Sequence, residues 1–585
     1  MHESSLYYHY SCCAPGAAKA ITSEDNMSSK DKLKPMLFSV IKKYDSKQLT
    51  KDIISGIIVA IIALPLSIAL ALASGVGPEQ GIYTAIIAGF IISFLGGSRV
   101  QIAGPTAAFA TIVAGIVAKN GMSGLALATL MAGAILILMG ILRLGSLIKF
   151  IPYTITTGFT AGIAVTIVIG QIKDFMGLKY PEGTVTIETT DKVKAVIRNI
   201  DTVNWQALLV GAVCLAILII WPYINDKIPG SLLAVIAGIL MVKLLDMEVN
   251  TIGDLYTIKS GLPTFEAPKF TLEAMRTVAP DAVTIAVLAA IESLLSCVVA
   301  DGMIGSRHRS NMELIAQGAG NMGSALFGGI PATGAIARTA ANIKNGGRTP
   351  VAGMVHAVVL IAVVLFLMPY ASWIPMPAIA AILFIVAYNM CQWRQFVSLV
   401  KSSSKSDIAV LVVTFVLTVV FDLVVAIEVG MLMACVLFMK HMSEEAEVRG
   451  WVYDIPDEDD DPDATNLKTV PLAVRVYEIS GPMFFGAADR IAAITLKDFT
   501  KVLIIRMRGV PELDATAMHS LEGLYAKCAA SGVAMVFSHV NERPMRMMRK
   551  AGFIDKLGED NFCAHIDAAL ARAEELLGEE DQAES

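Results

Sequence analysis

Two stretches decide the fold: Gly96-Gly97-Ser98-Arg99-Val100-Gln101-Ile102-Ala103-Gly104-Pro105-Thr106-Ala107 and Gly328-Gly329-Ile330-Pro331-Ala332-Thr333-Gly334-Ala335-Ile336-Ala337-Arg338. Each sets glycines and a proline, both helix breakers, at the start of a short segment rich in small residues, 104–118 in the first and 333–343 in the second. Neither segment spans comfortably as a full transmembrane helix, which needs about 20 apolar residues. Both nevertheless lie deep in an apolar region. Non-helical backbone is tolerated there only where protein or an aqueous cavity satisfies its polar groups. Two such breaks therefore argue for a substrate cavity, which a purely structural bundle would avoid.

Outward from the breaks, about fourteen apolar segments run from Asp52 to Lys440, near 52–72, 81–95, 104–118, 124–142, 154–171, 206–222, 231–244, 279–300, 313–327, 333–343, 351–369, 375–391, 407–421 and 423–440. The two broken segments are third in the first seven and third in the second seven. Discontinuous helices in corresponding halves mark an inverted-repeat transporter with its binding site between them. The expected fold class is thus an α-helical polytopic membrane protein, a repeat of seven and seven segments with two half-helices. Composition agrees: 55% hydrophobic and 17% charged residues, with a mean hydropathy of +0.63, exclude a soluble enzyme, whose charged share is near one quarter.

Residues 1–51 form a polar arm with Lys30, Lys32, Lys34, Lys42, Lys43, Lys47 and Lys51 ahead of the first span. No hydrophobic signal core precedes them, and a lysine-rich flank is kept on the cytoplasmic side. An even number of spans, 52–440, returns the C-terminus to the cytoplasm. Residues 441–585 carry 27 acidic against 15 basic side chains, out of a net charge of −6 for the whole chain. No basic face is left for nucleic acid. The acidic run Asp454–Asp463 reads as part of a solvated linker over 441–469. Beyond it, strands at Leu472–Ile479, Val502–Met507 and Val533–Phe537 alternate with a helix at Thr516–Cys528, which predicts a small α/β domain over 470–580.

Gly318-Ala319-Gly320-Asn321-Met322-Gly323 matches the dinucleotide fingerprint in letters but follows no strand; small residues at that spacing serve close helix packing. Walker A, HExxH and nucleophile-elbow motifs are missing, and the eight cysteines form no CxxC pair or Cys/His metal spacing. No cofactor, metal or enzymatic activity is expected. Glu292 stands mid-span, where an ionised acid costs at least a few kcal/mol, so it is protonated, paired or facing water; a solvated helix end is the bland alternative. Arg338 lies just inside the second short helix and either serves an anion or snorkels to head groups. His356, alone on an apolar span, reads as packed. Asp514 reads as a helix N-cap or a regulatory contact.

These residues resemble the SulP anion permeases, a fourteen-segment membrane core followed by a cytoplasmic STAS domain (sulfate transporter and anti-sigma factor antagonist). The resemblance runs from about Leu49 to the C-terminus. It is carried by Ala63-Leu64-Pro65-Leu66-Ser67, the two stretches above, Glu292-Ser293-Leu294-Leu295, Ala337-Arg338-Thr339-Ala340-Ala341-Asn342 and Val510-Pro511-Glu512-Leu513-Asp514-Ala515. Within the family the chain looks closest to bacterial C4-dicarboxylate transporters. The resemblance implies a core bundle moving against a gate bundle, homodimerisation in the bacterial inner membrane, and a small anion between the half-helices. It assigns substrate contacts to Leu66, Ser67, Gly104, Pro105, Thr106, Ala107, Thr333, Gly334, Ala335 and Arg338, with Thr333 to Ala335 starting the second half-helix. It gives coupling to Glu292, with Ser296 one turn on.

Two departures from the family pattern matter. Sodium-coupled relatives have Asp at the position of Glu292 and a hydroxyl residue at Ile336, and losing an oxygen ligand weakens a sodium site, which favours protons. The STAS phosphoserine position is Ala515, so that switch is absent unless Thr516 replaces it. The leading expectation is a proton-coupled symporter of C4-dicarboxylates. A sulfate or bicarbonate transporter, an uncoupled anion channel and an anion receptor signalling through the acidic linker and STAS domain are the alternatives, and the STAS domain is open to a cytoplasmic protein partner.

Overall fold

The computed structural model describes residues 33–146, 151–181, 184, 188–224, 229–256, 261–268, 270–421, 423–450, 470–497 and 499–584. The acidic run Asp454–Asp463 lies outside them. Two compact units emerge, Met1–Met431 and Leu432–Ser585. In the first, helices α1 (Ser46–Ala73) and α2 (Pro78–Leu95) lead to a two-residue strand β1 (Ala103–Gly104) and helix α3 (Ala107–Ile141). Helices α4 (Tyr153–Met176), α5 (Trp205–Ile224) and α6 (Gly230–Leu244) follow. The second half repeats the order as α7 (Leu272–Ile304), α8 (Ser310–Leu326), β2 (Thr333–Gly334), α9 (Ile336–Lys344), α10 (Val351–Phe366), α11 (Met376–Cys391), α12 (Lys405–Val420) and α13 (Leu423–Glu445).

Each of the fourteen expected segments coincides with a helix once α3 is counted twice, because Gly121 has φ +66 and kinks it. Among the described residues eight helices are long and apolar enough to cross a membrane, so the chain is a helical multi-pass membrane protein. The breaks differ from expectation in one respect. Gly104, Thr333 and Gly334 precede the half-helices as paired extended strands, β1 antiparallel to β2 with Ala103 opposite Gly334 and Gly104 opposite Thr333, and Ala335 is an N-cap. Buried backbone groups must find partners, and two facing breaks satisfy each other.

The packing shows the internal repeat directly. Replacing each segment by the one seven places along converts the α1–α10 contact into α7–α3, the α2–α10 contact into α8–α3, and the α4–α12 contact into α11–α5. The β1–β2 and α4–α11 pairs map onto themselves. Two bundles result, one of α1–α3 with α7–α10, the other of α4–α6 with α11 and α12. Small residues allow the close approaches: a methyl group at Gly318 would strike the backbone of Gly133 on α3, and one at Gly320 would strike Ile92 on α2. The GxGxxG letters are therefore a helix-packing surface.

Before α1, Tyr44 donates to Asp52 at 2.9 Å, and burial pushes that phenol up to about 12, so it stays a donor. Asp52 also accepts from Gln48 Nε2, Arg348 N and Thr349 Oγ1 at 3.0, 2.9 and 2.6 Å. This acid ties the lead-in of α1 to the turn after α9.

The second unit is a five-stranded sheet in spatial order β3 (Glu447–Gly450), β4 (Val474–Ser480), β5 (Val502–Gly509), β6 (Ala534–Ser538) and β7 (Phe562–Cys563). The β3–β4 pair is antiparallel and the others parallel. Alternate residues of β5 serve opposite faces, as a pleated strand requires. Leu503, Ile505 and Met507 pack with Leu521 and Leu524 of α14 (Ala515–Ala530); Val502 and Ile504 pack with Ala569 and Ala573 of α15 (Ile566–Glu584). Asp514 caps α14, accepting from Ala517 N at 2.8 Å, and also holds Phe485 N at 2.9 Å. Both carboxylate oxygens thus have structural partners, as the N-cap reading expects.

Candidate functional site

The two breaks, α1 and α7 bring the expected residues together. Thr106, the residue before α3, donates its hydroxyl to Glu292 Oε2 at 2.8 Å. Glu292 lies in the middle of α7 rather than at a solvated end, and both it and Thr106 are partly exposed. Leu66 of α1 is half-buried, and Ile336, at 44% exposure, opens the first turn of α9. Ser296, one turn along α7 from Glu292, is buried with an unpartnered hydroxyl.

Arg338 occupies the opposite position. It is fully buried, which removes the snorkelling alternative. Its Nη2 donates to Ser67 Oγ at 3.1 Å and to the Pro105 carbonyl at 3.3 Å, and its Nη1 fills the space where a side chain at Gly104 would stand. Among the described residues no carboxylate pairs with it, and Glu292 is bonded to Thr106 instead. Arg338 is also the third residue of α9, at the positive end of the helix dipole, where a cation is disfavoured. A buried charge without a partner costs several kcal/mol, and here the helix adds to the positive potential. Neither Thr106 nor Ala335 caps its helix with a side chain, so the first N–H groups of α3 and α9 remain available. Two helix N-termini and one buried guanidinium together set a positive potential at the breaks, which favours an anion.

Thr333 and Gly334, which the resemblance places in substrate contact, also have local partners. The Thr333 hydroxyl donates to the Ala289 carbonyl at 3.1 Å, and Gly334 makes room for Gln101, which a methyl group there would strike. Ala107 is buried as the first residue of α3.

The sequence reading missed the side chains that hold the breaks. Glu313, fully buried on α8, accepts from Gly97 N at 2.9 Å, Ser98 N at 3.2 Å, Gln317 Nε2 at 2.9 Å and Ser293 Oγ at 3.3 Å. Asn321 bonds both Ala332 N and Ala332 O at 2.8 Å, and Asn342 holds the Val100 carbonyl at 2.8 Å. Thr84 accepts from Ile330 N at 2.7 Å. Gln101 bonds Ser293 at 3.1 Å and touches Cys297. The signal available for them was polarity within otherwise apolar segments flanking the breaks.

Residues 49–414 match the sulfate permease family, and residues 465–569 match the STAS domain. The chain belongs to the sulfate permease family. This permease is 39% identical over 532 residues to the putative sulfate transporter YvdB of Bacillus subtilis, covering 90% of its own length and 98% of the relative. It is 31% identical over 564 residues to the bicarbonate transporter BicA of Synechocystis, covering 93% and 98%. Its fold is that of the murine Slc26a9 anion transporter solved in the inward-facing state, with a TM-score of 0.84 over 95% of this chain and 97% of that one at 18% identity. The permease is therefore a membrane anion transporter with a STAS domain, and transporters are not enzymes. The expectation that C4-dicarboxylate transporters are its nearest kin is corrected: these relatives are named for sulfate and bicarbonate.

Proposed function

We propose that this permease is a secondary active transporter of a small oxyanion, sulfate or bicarbonate, held between the N-termini of α3 and α9 in front of Arg338, with a proton on Glu292 as the coupled ion. The observation that carries the anion is the fully buried Arg338 at the positive end of α9, with no carboxylate partner among the described residues. A substrate of negative charge supplies what the protein withholds. The coupling reading rests on Glu292, which sits within one hydrogen bond of the first half-helix. A bound anion disfavours a second negative charge nearby, so anion and proton favour each other's binding, and the linkage is reciprocal. On this reading acid pH tightens anion binding as well as driving uptake.

The permease on this proposal works as a homodimer in a bacterial inner membrane, with its lysine-rich N-terminal flank and its STAS domain cytoplasmic and the latter open to a protein partner. The test is uptake of labelled sulfate, bicarbonate, succinate and chloride by purified protein in liposomes, with and without an imposed pH gradient. Concentrative uptake of sulfate or bicarbonate that needs the gradient supports the proposal. Succinate as the preferred substrate returns the site to dicarboxylates, and gradient-independent flux makes the permease a channel.

A further inference from the structure

Behind the site, α2 presents Ser93, Gly89 and Ala85 on successive turns of one face. Ser93 stands against Gly353 of α10, whose Cβ position its hydroxyl would occupy. Gly89 stands against His356, also on α10; a Cβ at Gly89 would lie 3.8 Å from His356 Nδ1 and 3.2 Å from the Ala103 carbonyl. Ala85 stands against Gly104, where the Arg338 guanidinium lies. His356 and the Arg338 guanidinium thus lie behind neighbouring turns of α2. Ser93 is 4% exposed, and His356 and Arg338 are fully buried.

Among the described residues no protein group bonds the Ser93 hydroxyl, either ring nitrogen of His356, or Nε and Nη1 of Arg338. Each buried polar atom left unpaired costs about 1–3 kcal/mol, and native interiors hold few of them. Five along one seam of α2 mark a polar line, and a polar site with two to four partners is where a buried water belongs. The hydrogen-bond inventory orients it. The guanidinium only donates, a neutral imidazole donates once and accepts once, and a serine hydroxyl does either. An imidazolium would add a second buried cation beside an arginine that already lacks a counter-ion.

We propose that His356 is a positioning residue for Arg338: its neutral ring accepts, through a buried water, a hydrogen bond from the guanidinium edge that Ser67 and Pro105 leave free, and its own N–H bonds towards Ser93. The line fixes the arginine's charge behind the two half-helix N-termini. The inference rests on Arg338 serving as counter-charge to the anion. Losing the line lets the guanidinium turn away, which weakens anion binding and leaves the transport step itself unchanged.

The test is initial-rate uptake of labelled sulfate and labelled bicarbonate in liposomes by wild type, His356→Leu, His356→Gln, Arg338→Ala and the His356→Leu/Arg338→Ala double variant. His356→Leu is expected to raise KM about tenfold, the scale of one hydrogen bond to a charged group, with kcat within about twofold. His356→Gln, which keeps a donor and an acceptor, restores most of the affinity, and the double variant is no weaker than Arg338→Ala because the two residues act as a unit. An unchanged KM in His356→Leu, a Gln variant as impaired as Leu, or additive effects in the double variant each overturn the inference. An unchanged KM in Arg338→Ala overturns the anion-site reading instead. If His356→Leu is not recovered folded, Ser93→Ala interrupts the line at its far end, and there a KM equal to wild type overturns the proposal.

Discussion

The two breaks share a backbone and differ in charge. Both pair as short strands, both open a helix without a side-chain cap, and both present free N–H groups. The first ends in Thr106, bonded to an acid of α7; the second carries Arg338, bonded to a hydroxyl of α1. Each break is thus held by the opening helix of the other repeat. Repeat symmetry supplies two equal dipoles, and the side chains then remove the symmetry: Glu292 of α7 and the guanidinium that Arg338 sends across from the second break both meet the first, at Thr106 and at Gly104-Pro105. Because Glu292 and Arg338 do not pair, neither quenches the other. The half-helices differ too: the first runs from Ala107 to the kink at Gly121, whereas α9 ends at Lys344.

The division of labour can be broken by substitution. The largest expected effect is at Glu292→Gln, which should still bind anion but lose accumulation driven by a pH gradient, read as the ratio of internal to external label at plateau. Equal accumulation in wild type and variant would remove Glu292 from the mechanism. Next is Arg338→Ala, expected to weaken anion binding by about 1.5–3 kcal/mol, the worth of a hydrogen bond to a charged group. Equilibrium binding to folded protein measures it, and an unchanged affinity would take the cation out of the second break's role.

A matched pair sharpens the contrast. Gly104→Ala drives a methyl group into the Arg338 guanidinium, and Gly334→Ala drives one into the Gln101 amide, each an overpacking cost of about 1–3 kcal/mol. Both should lower Tm, but only Gly104→Ala should also weaken anion binding. Equal loss of affinity in the two would erase the asymmetry. The smallest effect belongs to Ile336→Ser, which gives the second break the hydroxyl of the first at an exposed position. Its stability should stay within about 0.5 kcal/mol of wild type by thermal unfolding, with pH-driven uptake retained. Loss of that uptake would place Ile336 in the coupling machinery.

Much of this was legible along the chain. Glycine and proline at 96–105 and 328–331 locate the breaks because they act on the backbone locally, and apolar runs mark helices because length against bilayer thickness is a one-dimensional property. Glu292 and Arg338 stand out because charge in an apolar run is costly wherever the run folds. Asp514 is readable as a cap because capping reaches only three residues. Partners are another matter. That Glu292 meets Thr106, 186 residues away, and that Arg338 meets Ser67 and no acid, follow from how helices pack across the repeat. Glu313 reads as an ordinary acid in a first helical turn until tertiary structure delivers Gly97, Ser98 and Ser293 to it. His356 reads as a packed ring until tertiary structure sets it against Gly89 of α2 with both ring nitrogens unbonded among the described residues. The sequence by itself determined the elements, the repeat and the two charged residues, each a local or periodic property. Only the tertiary structure decided which charges are paired and which polar atoms are left without partners, because burial and hydrogen bonding depend on residues brought together from distant parts of the chain.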